Sequence, residues 1–118
     1  MKIILITAVV LIILYALMKV YSKGQVEPDI AKLAAGNAVI LDVRTEREFT
    51  EGHIPGAVNL SLGRLREDYT QLDSSKTYIT CCSHGLRSIK AVQLLKERGL
   101  KRVYNGGAWT ELQEKIAR

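Results

Sequence analysis

Eleven consecutive residues, Tyr78-Ile79-Thr80-Cys81-Cys82-Ser83-His84-Gly85-Leu86-Arg87-Ser88, place a thiol, a glycine and an arginine at offsets that suit nucleophilic chemistry. A β-branched and aromatic run ends in the cysteines, and a helical pattern (Ile89, Val92, Leu95) begins directly after Ser88. The thiol therefore falls at the carboxyl end of a strand and over the first turn of a helix. Unpaired backbone N–H groups and the positive end of the helix dipole gather there. Such a position favours thiolate over thiol, and the thiolate is the nucleophile. Arg87 and His84 add fixed and titratable positive character, and Gly85 lets the loop close around whatever the sulfur carries. A buried structural cysteine followed by an ordinary turn competes with this reading, because free cysteine is among the most buried residue types.

The surrounding pattern says how the loop is held. Pro28, Ile30, Leu33 and Ala34 before Gly36 predict a small helix, and Ala38 to Val43 a strand buried on both faces. Thr45 and Glu48 form a capping-box signature for a short helix ending near Gly52. A second strand is expected over Ala57 to Leu60, a helical stripe through Leu62, Leu65 and Tyr69, and a third strand over Tyr78 to Cys81. The helix after the cysteine loop should run from Ser88 to Arg98 and stop at Gly99. Arg102 to Asn105 predicts a last strand, Gly106-Gly107 a turn, and Trp109, Leu112 and Ile116 the inner face of a terminal helix. Strands alternating with helices imply an α/β fold: a parallel sheet with helices on both faces. Ligands of such sheets collect beyond the carboxyl ends of the strands. Asp42 and Arg44 end one strand and the cysteines another, so topology and chemistry converge on one rim.

The amino-terminal segment is of a different kind. Ile3 to Met18 is a run of 16 residues without charge, preceded by Lys2 and followed by Lys19 and Lys23. Sixteen helical residues rise about 24 Å against a hydrocarbon core of about 30 Å, and Val20 and Tyr21 extend the span if Lys19 snorkels. The reading is one transmembrane anchor in residues 1–24, contacting the membrane through residues 3–21, with Ser22 to Val26 as a short linker to a domain over 25–118. A cleaved signal peptide is the alternative, although Ser22-Lys23-Gly24 makes a poor cleavage site. Lys19, Lys23 and Lys32 outnumber Lys2, which leans the domain toward the cytoplasm. The net charge of +5 belongs largely to the three flanking lysines. From Gly24 onward 14 basic residues face 12 acidic ones, too even a balance for nucleic-acid binding. Two adjacent cysteines cannot staple distant parts of the fold, and neither metal nor organic cofactor is suggested.

Three blocks resemble the rhodanese domain, the single-domain sulfurtransferase family: Leu41-Asp42-Val43-Arg44 with Glu48-Phe49, Gly52 to Asn59, and Cys82 to Ser88. A weaker block is Val103-Tyr104-Asn105-Gly106-Gly107 with Trp109. The resemblance covers nearly all of the chain from Val26 onward. It implies a five-stranded parallel sheet and transfer of sulfane sulfur through a persulfide on Cys82. The donor would be thiosulfate or a protein persulfide, and the acceptor a thiol or cyanide. Ser83, His84, Gly85, Leu86 and Ser88 would then line the loop that binds the outer sulfur. Arg87 would fix that loop, and Asp42 with Arg44 would brace it by a charged hydrogen-bond pair. The close spacing of Gly107 and Trp109 departs from the family pattern and brings the final helix forward. Cys81 is an extra thiol that strand alternation turns toward the core.

Two alternatives stay open at this level. Counted from Cys81, the signature Cys, five residues, Arg87, Ser88 has the length of a cysteine phosphatase or arsenate reductase loop, which is one residue wider. A membrane-held adaptor or persulfide carrier without turnover is the other; noncatalytic relatives lose the cysteine or the arginine, and this chain keeps both.

Overall fold

Residues 1–117 are described by a computed structural model of the chain. The 23-residue helix α1 (Lys2–Gly24) comes first, with all but its final turns exposed. There follow α2 (Ile30–Ala35), β1 (Val39–Asp42), α3 (Glu46–Glu51) and β2 (Val58–Asn59). A 3-10 turn (Leu62–Arg64), α4 (Leu65–Asp68) and a second 3-10 turn (Tyr69–Gln71) lead to β3 (Tyr78–Cys82). The chain closes with α5 (Leu86–Glu97), β4 (Val103–Ala108) and α6 (Trp109–Ile116).

The sheet is parallel throughout, in the order β2-β1-β3-β4. Every residue of β3 is buried, which is the consequence of covering both faces of a central strand. Alternation along it sorts the core in two. Tyr78 and Cys82 join Leu41, Val43, Leu65 and Leu95 on the face covered by α4 and α5. Ile79 and Cys81 join Ile30, Ile54 and Leu112 on the face covered by α2 and α6.

Three expectations change. The sheet has four strands among the described residues, not five. The lane beside β4 is taken by residues 25–27, tied on by the Glu27 N–H to the Asn105 carbonyl (2.9 Å) and by the Asn105 side-chain amide to the Gln25 carbonyl (3.0 Å). Helix α1 runs to Gly24 and Pro28 cannot donate, so too few residues lie between them for a ladder. For the same reason the expected linker is largely helix, and Ser22 is buried within it. Lastly, β4 continues through Gly106 and Gly107 instead of turning there. A Cβ on Gly106 would meet Ile79, Leu112 and the Thr80 carbonyl oxygen, each at 2.8 Å, so only glycine lets the strand pass this close. The pairing slips between Thr80 and Cys82 to accommodate it. Helix α6 then starts at Trp109, as early as the spacing of Gly107 and Trp109 implied.

Candidate active site

Cys82 is the last residue of β3, and its sulfur turns into the loop that follows. Sγ accepts the Gly85 N–H at 3.0 Å and the Ser88 N–H at 3.4 Å, while Cys82 is only 1% exposed. Gly85 adopts φ +92°, a conformation that aims its N–H back at the sulfur and that a side chain would strain. The Ser88 hydroxyl donates to the Gly85 carbonyl at 3.0 Å and ties the loop to the first turn of α5. Beneath it, the Thr80 hydroxyl donates to the Ser88 carbonyl at 3.0 Å. His84 and Leu86 point outward; Leu86 is 40% exposed.

Arg87 does not reach the sulfur. Its Nη1 and Nη2 donate to the two carboxylate oxygens of Glu48 at 2.7 and 2.9 Å. The Ser83 hydroxyl donates to Glu48 Oε2 at 2.9 Å, and Arg87 Nη2 also reaches that hydroxyl at 3.2 Å. Glu48 Oε1 takes the Thr45 N–H and hydroxyl as well, so one carboxylate caps α3 and clamps the cysteine loop together. Chiefly because of the Arg87 hydrogen bonds, Glu48 is held well below the usual carboxylate range.

Sequence reasoning gave Glu48 a place in the first rhodanese-like block and the role of a cap, with no part in holding the cysteine loop. A signal was present: α3 follows β1, β1 lies beside β3, and in a parallel sheet both succeeding segments start on the same rim. The first turn of α3 must therefore face the loop after β3.

Asp42 and Arg44 form a separate buried unit. Arg44 donates through Nε to Asp42 Oδ1 at 2.9 Å and through Nη2 to Oδ2 at 2.7 Å. Nη2 also reaches the Gly52 carbonyl at 2.6 Å, and the guanidinium lies 4.8 Å from the Trp109 ring centroid. The Asn59 side-chain amide binds the carbonyls of Asp42 and Arg44. The pair thus fixes the rim at β1, β2 and α6, while the charged partner of the cysteine loop is Glu48. His53 is occupied with Phe49, stacking on its ring and bonding its carbonyl at 2.7 Å.

Cys81 faces the opposite core and is fully buried. Burial first, then the charge of Asp42, pushes its thiol up and away from thiolate formation. The wider loop that a phosphatase would need around Cys81 therefore has no sulfur at its centre.

A cysteine sulfur held by loop N–H groups at the rim of a parallel α/β sheet agrees with the comparisons. Residues 29–114 match the rhodanese-like domain family. The chain belongs to that family and is a sulfurtransferase of the rhodanese type. The protein YtwF of Bacillus subtilis is 40% identical over 73 residues, which cover 59% of this chain and 71% of that one. The thiosulfate sulfurtransferase GlpE of Coxiella burnetii is 39% identical over 67 residues, 57% of this chain and 63% of that enzyme. Among solved structures, the human single-domain sulfurtransferase TSTD1 superposes with a TM-score of 0.58 at 29% identity, over 70% of this chain and 87% of that one.

Proposed function

We propose that Cys82 carries sulfane sulfur as a persulfide, taken from thiosulfate or a persulfide donor and passed to a thiol or to cyanide. The observation that carries this reading is the Cys82 sulfur held by the N–H groups of Gly85 and Ser88. Two N–H donors converging on one sulfur suit one added sulfur atom better than a tetrahedral oxyanion. With thiosulfate, the Cys82 thiolate attacks the outer sulfur, a Cys–S–S bond forms, the S–S bond of the donor breaks, and sulfite leaves with the bonding pair. An acceptor thiolate then attacks the outer sulfur, forms a new persulfide, and releases Cys82 as thiolate. Arg87 acts through Glu48 and Ser83 to keep the loop N–H groups in place.

The test is a pair of substitutions assayed for thiocyanate formation from thiosulfate and cyanide. Cys82→Ser should abolish turnover and the persulfide mass shift, whereas Cys81→Ser should retain both. Activity that survives the first and disappears with the second would refute the assignment.

Residues 1–24 are proposed as a retained anchor that holds the 25–118 domain on the cytoplasmic side. A helix of 23 residues with a window of mean hydropathy 2.8 and exposed apolar side chains supports it. The flanking Lys19 and Lys23 support the sidedness, as does a free reactive thiol. Intact mass of the membrane-extracted chain, and protease access from each side of the membrane, test the two points separately.

A further inference from the structure

Helix α1 does not reach the domain through a slack tether. Ser22, in its last turns, is 5% exposed, and its hydroxyl donates back to the Lys19 carbonyl at 3.1 Å. Its Cβ lies 3.3 Å from where a side chain on Gly85 would begin, and Gly85 supplies the shorter of the two hydrogen bonds to Cys82. Val26, just beyond the helix, comes within 2.7 Å of the same point on Gly107. Between Lys19 and Lys23 of α1 and His84 and Gly85 of the loop there remains a crevice of ≈ 10 Å³. That is about the room one water needs. The end of α1 is therefore one wall of the cysteine loop.

Length decides where that wall sits relative to a bilayer. From Lys2 to Lys19 the helix rises about 26 Å, already short of a hydrocarbon core of about 30 Å. No turn is left over as a spacer. Ser22 follows Lys19 by about 4.5 Å along the axis, inside a headgroup layer about 5–8 Å deep. Tyr21, exposed beside it, has the amphipathic ring that collects at this level. Leu86, next to Gly85, is one of two large apolar residues beyond α1 that stand exposed among the described residues, Val58 being the other.

We propose that α1 holds the mouth of the Cys82 loop in the headgroup layer, and that the sulfur partner is an amphiphile presenting its thiol or persulfide there. This rests on the persulfide reading and on a retained anchor. In the acceptor direction, the amphiphile's thiolate attacks the outer sulfur of the Cys82 persulfide. The new S–S bond forms as the bond to Sγ breaks, and Cys82 leaves as thiolate. Bulk-phase partners of the same reactivity lack the local concentration that a shared surface provides.

The experiment uses the full chain in phosphatidylcholine vesicles and has two arms. Trp109 is the sole tryptophan and begins α6 at the rim. Lipids with nitroxide headgroups should quench its fluorescence, while a Trp109→Phe, Lys76→Trp chain, whose indole stands at the opposite end of the sheet, should escape. In the second arm the chain is charged with thiosulfate and discharged by a lipid bearing a thiol headgroup or by a water-soluble thiol. Lipid-thiol discharge should fall at least threefold when roughly ten Gly/Ser residues are inserted after Tyr21, a flexible spacer of the kind that unseats the loop from the surface. Discharge by the water-soluble thiol, run beside it, normalises for any change at the loop wall itself, and the threefold fall is read as the ratio of the two. Unquenched Trp109 in the chain without the insertion, or discharge by the lipid thiol that ignores the spacer, overturns the inference while leaving sulfurtransfer standing. Failure of Cys82 to charge at all overturns the sulfurtransfer reading, and this inference with it.

Discussion

Replacing Glu48 by Gln keeps the side chain's size and removes its charge. The remaining carbonyl oxygen still serves Thr45, so the cap of α3 survives. The new amide group, however, sets a donor against Arg87 Nη2 where Glu48 Oε2 now accepts at 2.9 Å. One arm of the bidentate contact is lost, and the Arg87 charge loses its partner. A shielded hydrogen bond to a charged group contributes about 1.5–3 kcal/mol. Here a third of each side chain is exposed (33% for Glu48, 35% for Arg87), so solvent screening reduces the expected loss to about 1 kcal/mol. For a domain of this size that is about 4–8 °C in Tm. If the loop's order limits the rate, it is about fivefold in kcat/KM.

The pH dependence supplies a sign. Arg87 depresses the folded-state pKa of Glu48, so its stabilisation is complete above the unfolded carboxylate value of about 4.3 and is withdrawn as pH falls toward the folded value. Thermal unfolding of the full chain in detergent, followed by circular dichroism, should show a constant gap between wild type and Glu48→Gln near neutral pH. The gap should close below about pH 4. Equal Tm values at neutral pH, or a gap that widens on acidification, would refute the reasoning.

Two other substitutions test the frame around the site. Arg44→Met leaves Asp42 charged and fully buried without its partner, which should cost about 3–5 kcal/mol in urea unfolding; adding Asp42→Asn should restore part of the loss. Gly106→Ala places a methyl 2.8 Å from the Thr80 carbonyl oxygen, a backbone atom that cannot swing away. A loss of about 1–3 kcal/mol is expected, whereas Gly63→Ala, which meets nothing within 4 Å, should be nearly silent in the same thermal scan.

Much of the fold was legible because hydrophobic period and punctuation agree. The buried run before Asp42, the Thr45–Glu48 cap and the helix before Gly99 all fall where local physics puts them. The cysteine loop was legible for the same reason: a strand, a glycine and a helix start in seven residues leave few geometries. What escaped depends on contacts distant in sequence. Glu48 meets Arg87 across 39 positions, and nothing local marks a capping carboxylate as also serving a second loop. Ser22 reads as linker by composition, yet it is buried because Gly85, 63 residues on, has no side chain to keep it away. Gly106-Gly107 reads as a turn by residue type. It is strand because the neighbouring backbone approaches too closely for any other residue.

The sorting of Cys81 and Cys82 to opposite faces of β3 has a consequence under oxidative stress. A sulfenic acid formed on Cys82 has no resolving thiol within the molecule, since joining its neighbour would turn one layer of the interior through the sheet. The Cys82 sulfur, proposed as the nucleophile, faces away from the sulfur one residue before it. Its recovery from oxidation depends on thiols that arrive from outside, by the same mouth that admits its substrates.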